Sequence, residues 1–419
     1  MAPDAGPLAF TTPVERLRLA LLWLMAFSGC FVFIEPGPYE ITAALTVFVF
    51  AVTGLTLSRS LAPLLIMLAV YDAGFGLSVL QVIDQSKAVT WVFISWYLSI
   101  TAIFFAAALT HNTQARLAVI TRGYMAAAVM TSLIAVLAYF HVFGGFSEAF
   151  LKFGRARGTF NDPNVLGAFL IFPALLLLQR ILVGRLRTIL WSGAALLVII
   201  AALLLSFSRG AWGQFAGAAV LQMLLTFIIS RSTRERLRIT LLAVTGVALL
   251  GVFVALLLSI PTIADVFDVR ATLTQEYDVS HLGRFGRYQA GFLLALERPL
   301  GIGPLQFTTL FTEDPHNTFL NAFMSGGWIV GLVYPAIIFT TLALGFRAIF
   351  IETPWRRTYL AVYCAFVGAA FEGAIVDIDH WRHFFLLLGC VWGLMVAARN
   401  HRRSLTRWPS PLPAYAWVN

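Results

Sequence analysis

TILWSGAALLVIIAALLLSFSRGAWGQFAGAAVLQMLLTFIIS, residues 188–230, is the stretch that decides the fold. It contains two apolar runs of about twenty residues each, which is the length that an α-helix needs to cross the hydrocarbon core of a bilayer. The residues SFSRG, 206–210, separate the two runs, and Arg209 is the one charged residue of the stretch. A connection this short leaves no room for a folded segment. The stretch therefore predicts two consecutive transmembrane helices that meet at an arginine.

The composition of the whole chain agrees with this prediction. Its 419 residues are 59% hydrophobic and only 12% charged, and the mean hydropathy is +0.84. A soluble domain is about 45–50% apolar and about 25% charged. These values exclude a soluble enzyme, a disordered chain and a secreted disulfide scaffold, and they leave a polytopic membrane protein. The three cysteines lie in apolar stretches and show no spacing typical of a metal site or a disulfide.

The same kind of apolar run recurs along the whole chain. We predict an all-α fold of about twelve transmembrane helices, near residues 17–34, 39–57, 61–83, 88–110, 120–143, 164–179, 188–207, 211–230, 239–260, 327–346, 358–376 and 383–398. No Gly/Ser-rich or Pro-rich linker divides the chain, so residues 1–419 are predicted to form one transmembrane domain. The connection at 261–326 is the one segment long enough to form a cap outside the membrane, with an interfacial helix inside it.

The distribution of positive charge predicts the orientation of these helices. If the spans alternate and the N-terminus is cytoplasmic, 19 of the 29 Lys and Arg residues lie on the cytoplasmic side with only four acids, a net charge of +15. The rest of the chain has ten cations and a net charge of −6. Cytoplasmic loops of membrane proteins are enriched in Lys and Arg. We therefore expect both termini in the cytoplasm.

Two groups of cations on the outer side are not explained by this orientation. In the first, Arg155 and Arg157 precede the turn Asn161–Asn164, where Asn164 is a candidate helix N-cap. This group is also compatible with a capped loop and two solvated arginines. The second is Arg209, which is costly to bury unpaired at the membrane boundary. Its alternative role is to extend to the phosphates of lipid headgroups.

A third group of outer cations lies in the long loop. If residues 284–297 are helical, Arg284 and Arg287 lie three positions apart on one face. Two guanidinium groups on one face suit an anion with several oxygens, such as a diphosphate. The apolar side of the same segment would hold the helix against the membrane interface, and it consists of Phe292, Leu293 and Leu296. An amphipathic surface helix that binds anionic lipid is the alternative.

Further polar residues lie where the outer loops return to the membrane. His316 follows Asp314-Pro315, and a neutral imidazole there is able to take a proton from a hydroxyl; a solvated loop histidine is the alternative. The last outer loop, residues 377–383, contains two acids, two histidines and an arginine and would form either an interfacial anchor or part of a site. Asp72 lies inside an apolar run and marks either a site or a hydrogen bond between helices.

Four of these motifs, in this order, resemble the bacterial O-antigen ligase and O-antigen polymerase family of integral-membrane glycosyltransferases. The resemblance covers about residues 150–340. It is carried by Arg157-Gly-Thr-Phe-Asn-Asp-Pro-Asn164, by Ser208-Arg209-Gly210, by Gly283-Arg284 with Glu297-Arg-Pro-Leu-Gly-Ile-Gly-Pro-Leu-Gln-Phe307, and by His316-Asn317-Thr-Phe-Leu320. The first 150 residues resemble the family only in being hydrophobic.

The resemblance implies a lipid-dependent glycosyltransferase (GT-C-like) fold in the bacterial inner membrane, with its active site in the periplasm and no metal ion. It implies a glycan on undecaprenyl diphosphate as the donor. Arg209, Arg284 and His316 correspond to the family's functional arginines and histidine, and we assign them to catalysis. Around them we predict a further set of substrate-binding residues: Arg157, Arg287, Asn164, Asn317, Asp379 and Arg382.

The sequence does not decide between several acceptors, or between an enzyme and a transporter. The favoured reaction is ligation of O-antigen to the lipid A-core of lipopolysaccharide. The alternatives are a polymerase, with a lipid-linked repeat unit as acceptor, protein O-glycosylation and, from another class, a polysaccharide transporter or flippase. The family often has an acid nine residues after its histidine. Here that position is Ser325, so no role of that acid carries over.

Overall fold

The fold consists almost entirely of helices. The computed structural model describes residues 12–33, 37–184, 186–271, 283–311 and 313–406. The helices are α1 (Pro13–Ser28), α2 (Pro38–Thr53), α3 (Ala62–Val79), α4 (Ser86–Ala108), α5 (Thr113–Tyr139), α6 (Pro163–Val183), α7 (Leu186–Leu205), α8 (Arg209–Ile229), α9 (Thr233–Leu258), α10 (Pro261–Ala271), α11 (Arg284–Glu297), α12 (Phe307–Leu310), α13 (Thr318–Ile349), α14 (Arg356–Glu372) and α15 (Arg382–Thr406).

Each of the twelve predicted apolar runs coincides with one of these helices. Within the described residues, nine helices are long and apolar enough to cross a membrane. The class of all-α polytopic membrane protein is thereby confirmed. Helices α1, α2 and α14 have 16, 16 and 17 residues, somewhat fewer than the roughly 20 that a span usually needs, so the count of twelve stays a prediction. One small departure from the all-α prediction is an antiparallel hairpin of two strands, β1 (Leu151–Lys152) and β2 (Arg155–Ala156).

The helices differ strongly in how deeply they lie in the bundle. Helix α15 is the central one, because 89% of its apolar window is buried, whereas no residue in the window of α9 is buried. Glycines allow α15 to approach α4 closely: a Cβ atom added at Gly389 or Gly393 would meet the backbone carbonyls of Ala102 and Ala106. Small residues at such contacts allow van der Waals packing between helices in a lipid solvent.

Helix α13 is broken at the level of the outer loops. Gly327 has φ of 73° and ψ of −172°, a conformation open almost only to glycine. The loop after α11 fills the break, since Trp328 N donates to Pro299 O, Ile302 N to Met324 O and Gly303 N to Ser325 O. The Pro299–Pro304 motif therefore satisfies the backbone groups that the break exposes. This contact fixes the cap segment against the helix that begins just after His316.

The cap helix α11 lies across the outer part of α13. Gly291 of α11 contacts Leu320 and Met324, and Trp328 Nε1 donates to Ala295 O. On the opposite side of α11, Phe292, Leu293 and Leu296 are each more than half exposed. Exposed apolar side chains on one side of such a helix are the pattern of an interfacial helix. The structure thus presents the face that we expect to meet the membrane surface.

Acids on the predicted cytoplasmic side bind arginines of other elements. Glu15 of α1 forms two hydrogen bonds with Arg116 of α5, at 2.8 Å and 2.9 Å. Elsewhere on this side, Glu235 pairs with Arg357, and Glu352 pairs with Arg231. These contacts place part of the basic charge in pairs between helices. The orientation itself stays a prediction.

Replacing Gly327 with alanine should destabilise the protein. The added Cβ would lie 2.5 Å from Pro299 O, and the positive φ is strained for any L-residue, at a cost of about 1–3 kcal/mol. A lower unfolding midpoint in detergent measures this loss. Gly246→Ala on α9 is the control, because nothing lies within 4 Å of its Cβ position. Equal midpoints for the two variants would contradict the proposed constraint at the break.

Candidate active site

His316 lies in the turn that leads into α13. Its φ is +52°, which is uncommon for a residue with a side chain and is often found at functional sites. The next residue, Asn317, is the N-cap of α13, because its side-chain oxygen accepts a hydrogen bond from Leu320 N at 3.1 Å. The cap fixes the helix start immediately after the histidine. The His316 side chain is 40% exposed and thus open to a substrate.

The imidazole of His316 is paired with Asp377 from the last outer loop. His316 Nδ1 lies 3.2 Å from Asp377 Oδ2. His316 Nε2 has no hydrogen bond to any residue that the structure describes. A carboxylate at one ring nitrogen favours the tautomer in which that nitrogen carries the proton, so that Nε2 becomes the basic atom. The pair is thus arranged as a general base with an orienting acid.

Carboxylates surround this histidine on one side. Burial raises the pKa of Asp377 above its ordinary range, and the hydrogen bond to His316 opposes that shift. Burial also raises the pKa of Asp314, with the negative charge of Asp377 acting in the same direction. Repulsion among these acids, which include the buried Asp379, is relieved when a positive charge forms nearby. The arrangement therefore places negative charge beside the imidazole of His316.

A set of hydrogen bonds holds the Asp377 loop against the start of α13. Thr318 N donates to Gly373 O at 2.8 Å, and Thr318 Oγ1 donates to Val376 O at 3.0 Å. The same hydroxyl accepts a hydrogen bond from Ile378 N at 2.9 Å. These three bonds enclose Asp377 on both sides along the chain. Asp377 is therefore positioned by backbone contacts and not only by its histidine.

Asp377 was not among the predicted site residues. The residues of this loop that the sequence analysis predicts in the site are Asp379 and Arg382. The structure places Asp379, 6% exposed, next to Asn321, whose Nδ2 donates to Asp379 Oδ2 at 3.3 Å. Ser325, at the position where the family often has an acid, donates to Asn321 Oδ1 at 2.6 Å. A hydrogen-bonded chain therefore runs from Ser325 to a carboxylate.

Arg382 lies at the start of α15 and holds a contact between helices. Its guanidinium forms an ion pair with Glu40, lies 5.3 Å from the ring of Tyr39 and donates to Phe31 O at 3.3 Å. The Arg382 side chain is only 12% exposed. These contacts indicate a structural role, and the role in substrate binding stays a prediction.

Arg287 is also buried. Its side chain is 2% exposed, and Nη1 donates to Glu313 Oε2 at 2.6 Å and to Asp314 O at 3.2 Å. Arg287 thus ties the cap helix α11 to the segment that leads into His316. The predicted shared face with Arg284 lies outside the described residues, since the Arg284 side chain is not described. Arg287 acts on the candidate site indirectly, because it binds Glu313 and Asp314 in the segment just before His316.

Arg209 and Arg284 occupy equivalent positions in two different helices. Arg209 is the first residue of α8, after the N-cap Ser208, whose hydroxyl accepts from Ala211 N at 3.3 Å. Arg284 is the first residue of α11, after Gly283, which has no side chain to cap the helix. The first turn of a helix presents free N–H groups and the positive end of the helix dipole. A cation at that position therefore strengthens an anion-binding site.

The segment before α6 differs from its prediction in one detail. The N-cap of α6 is Asp162, whose Oδ1 accepts from Asn164 N at 2.9 Å, and not Asn164 itself. Pro163 occupies the first helical position, so the cap is Asp162, two residues before Asn164. Asn164 Oδ1 accepts a hydrogen bond from Arg155 at 2.8 Å, so this arginine is not solvated.

Arg155 and Arg157 have different surroundings. Arg155 is 8% exposed, and its Nε donates to Ser206 O at 2.7 Å. It therefore joins the outer loop to the turn that ends at Arg209. Arg157 donates to Ala149 O at 3.0 Å within its own loop. The prediction that Arg157 binds substrate stays untested by these contacts.

The sequence of the central part of the chain matches a known family. Residues 194–334 match the family model described as O-antigen ligase. The match covers about a third of the chain. It confirms the resemblance that the motifs indicated, and the matched region includes Arg209, Arg284 and His316. A comparison with curated proteins finds no match.

The O-antigen ligase match and the geometry cover different parts of the candidate site. The match ends before α14 and therefore does not include Asp377, Asp379 or Arg382. It also begins after the loop that contains Arg155 and Arg157. Among the residues that the structure describes, no group of three or more His, Cys, Asp or Glu is placed to hold a metal ion. Metal independence stays a prediction.

Replacing Asp377 with asparagine should lower kcat and leave donor binding intact. The amide cannot stabilise the imidazolium and allows the wrong tautomer of His316; the loss should lie between about tenfold and about 10⁴-fold, the range for carboxylates that orient a histidine. Because burial raises the pKa of Asp377, wild-type activity should also fall on the acid side as this carboxylate takes up a proton, at a higher pH than for an exposed aspartate. The variant should lack that dependence.

The matched control for this variant is Glu148→Gln, which neutralises an outer-side acid that is 73% exposed. It should leave both kcat and the pH profile unchanged. An Asp377→Asn protein with wild-type kcat and an unchanged acid limb would remove Asp377 from the mechanism.

Proposed function

We propose that the protein is a glycosyltransferase that moves a glycan from undecaprenyl diphosphate to a hydroxyl group on the periplasmic side of the inner membrane. The observation that carries this proposal is the pair His316–Asp377 in a chain whose central part matches the O-antigen ligase model. The pair leaves Nε2 of the imidazole without a hydrogen bond among the described residues. His316 lies in the turn that leads into the membrane helix α13. That is the arrangement needed to activate a hydroxyl of an acceptor.

The chemistry follows from this geometry. His316 Nε2 takes the proton of the acceptor hydroxyl while its oxygen attacks the anomeric carbon of the donor sugar. The bond between that carbon and the diphosphate oxygen breaks, and its electrons leave with the diphosphate. Asp377 stabilises the imidazolium that forms, as the carboxylate of a catalytic triad does for its histidine. The proton then leaves His316 for solvent or for the diphosphate.

The leaving diphosphate needs positive charge that is already in place. In this proposal Arg209 and Arg284, the first residues of α8 and α11, supply it. Fixed donors at the point where charge develops lower the barrier without reorganisation. In this proposal the two arginines take the role that a divalent cation has in other transferases.

The favoured acceptor is the lipid A-core of lipopolysaccharide. Polymerisation of lipid-linked repeats and protein O-glycosylation use the same donor chemistry and stay alternatives. The transporter alternative was linked to discontinuous helices, and α13 is such a helix. Its break, however, is filled by the backbone of Pro299–Gly303, which hydrogen-bonds to residues on both sides of the break. This observation favours the enzyme over the transporter.

Variants of His316 and Arg209 should separate the two halves of the reaction. His316→Ala should lower kcat by about 10²–10⁴-fold, the usual contribution of a general base, with donor binding unchanged. Arg209→Ala should instead weaken binding of the donor diphosphate. Glycan transfer and donor binding are measured on the purified protein with a lipid-linked glycan. Turnover retained by His316→Ala would exclude the histidine as base.

Matched controls exist for both variants on the same side of the membrane. His141→Ala removes an outer histidine that is 61% exposed, and Lys87→Ala removes an exposed cation; neither should change transfer or binding. Donor binding that is equal in wild type and Arg209→Ala would leave the anion site without support.

The lipopolysaccharide of a deletion strain should distinguish the acceptors. A ligase predicts loss of the ladder of core-linked O-antigen, while polymer accumulates on its lipid carrier. A polymerase predicts core that carries a single repeat unit. Electrophoretic banding of the two fractions provides the measurement, with a plasmid copy of the gene as the control. Unchanged banding and unchanged lipid-linked glycan would contradict a role in O-antigen assembly.

A further inference from the structure

Exposed apolar side chains cluster on the outer segment between α5 and α6. Phe146 is 68% exposed, Phe153 is 85% exposed, and Val142 and Phe143 are also exposed. Phe150 joins two of these rings, since its ring centroid lies 5.5 Å from that of Phe146 and 6.0 Å from that of Phe143. We call these five residues the outer apolar patch. Contiguous apolar surface of this kind marks an interaction site for a protein or a membrane.

Phe153 lies at the tip of the hairpin that β1 and β2 form. Lys152 pairs with Arg155, so the turn consists of Phe153 and Gly154 alone. Their φ values are +53° and +69°, and a type I′ turn has positive φ at both of these positions. Such a turn favours Asn-Gly, and a bulky residue at positive φ is uncommon. A ring that its turn does not favour and that the protein does not bury points to a partner outside the chain.

The contacts of this segment place the patch at the boundary of the membrane. The ring centroids of Phe150 and Phe33 lie 5.9 Å apart, and Phe33 follows the end of α1 by five residues. Lys152 Nζ lies 3.1 Å from Oδ2 of Asp162, the N-cap of α6. The segment itself starts directly after α5, which ends at Tyr139. Because helices that cross a bilayer end near its surface, the patch lies near that surface.

The patch continues a surface that faces lipid. Helix α5 is one of the helices that are long and apolar enough to cross a membrane. Toward its outer end, Leu133, Leu137 and Phe140 are exposed at the spacing of one helix face. Apolar side chains on the outside of a membrane helix face hydrocarbon. Val142 follows Phe140 by two residues, so the apolar surface extends from α5 into the patch.

The polar side chains of the segment are separated from its exposed rings. Gly144–Phe150 is a short 3₁₀ helix, in which residues three apart lie on the same side. Phe143 and Phe146 therefore share a side, whereas the exposed Glu148 lies on another one. Lys152 Nζ lies 5.8 Å from the centroid of the ring at the hairpin tip. Apolar rings with charged groups beside them fit the boundary between headgroups and acyl chains.

We propose that the outer apolar patch inserts into the adjacent leaflet of the bilayer and anchors the hairpin there. A phenylalanine ring has no hydroxyl or N–H group to hydrogen-bond with a sugar, which favours lipid over a glycan as the partner of Phe146 and Phe153. The hairpin also reaches the candidate site, because Arg155 Nε donates to Ser206 O, three residues before Arg209. Lipid contact at the hairpin therefore holds that turn at a fixed level of the membrane.

Depth measurements on the full-length protein in lipid nanodiscs test this contact. The three native cysteines are buried, so a thiol-reactive fluorophore labels a cysteine introduced at the surface. With such a probe, Phe146→Cys and Phe153→Cys should be quenched by phospholipids with brominated acyl chains and should lose most of the quenching by aqueous iodide. Glu148→Cys on the same segment is the matched control and should respond to iodide alone. Iodide quenching that is equal at Phe153→Cys and Glu148→Cys overturns the insertion.

A second measurement needs no attached probe. Phe146→Ser with Phe153→Asn removes both rings and retains the turn, because asparagine is favoured at that position. A phospholipid with a photoreactive acyl chain should crosslink to residues 142–156 in wild type, and this crosslink should be largely lost in the double variant. Crosslinks to α9, whose apolar window has no buried residue, are the internal standard. An unfolding midpoint in detergent that matches wild type shows that the variant is folded. Equal crosslinking of 142–156 in the two proteins overturns the proposal.

Other partners give a different outcome. If the patch binds a glycan or a protein, the probe at Phe153→Cys stays accessible to iodide in nanodiscs and becomes protected when that partner is added, and the lipid contact is then wrong. The lipid contact is also independent of the reaction proposed above. A protein that passes both measurements but transfers no glycan retains the anchor and loses the reaction assignment.

Discussion

The hydrogen bonds of Thr318 connect the parts of the protein that the candidate chemistry needs. Its backbone N–H and hydroxyl join the start of α13 to the loop between α14 and α15, at Gly373, Val376 and Ile378. Water is scarce at the edge of a bilayer, so backbone groups of an irregular loop must find partners inside the protein. Satisfying them with one residue next to His316 brings Asp377 to the imidazole. It also places the end of α14 beside the same turn.

The helices were predictable because the signal is local. A run of apolar residues has to be helical in lipid, whatever it packs against, so every predicted run coincides with a helix. The cap of α6 was predictable in principle as well, since Pro163 requires a first-turn position and makes Asp162 the cap. The pairing of His316 with Asp377 was not predictable, because 61 residues separate them and two helices intervene. The loop holds two aspartates, and only tertiary packing decides which one reaches the histidine.

The outer arginines show the same limit. Positive charge on that side was expected to mark the site, yet Arg155, Arg287 and Arg382 are largely buried in contacts that fasten loops to helices. Sequence alone cannot separate a ligand-binding arginine from a structural one, because the partner of a buried arginine comes from a distant segment. Position in the helix does not separate them either, because Arg382 begins α15 just as Arg209 begins α8 and Arg284 begins α11.

At Ser325 this chain lacks the carboxylate that the family often has, and a neighbouring carboxylate takes its place. At this position the resemblance leads one to expect an acid, and a serine hydroxyl cannot carry the charge. The hydroxyl instead donates to Asn321, which donates to the buried carboxyl of Asp379. Negative charge near the histidine therefore comes from Asp314 and from the last outer loop, and not from α13. Because Asp379 and Asp377 lie on the same short loop, any substitution that moves this loop should alter both carboxylates at once, and the negative field around His316 depends on the packing of that loop against Thr318.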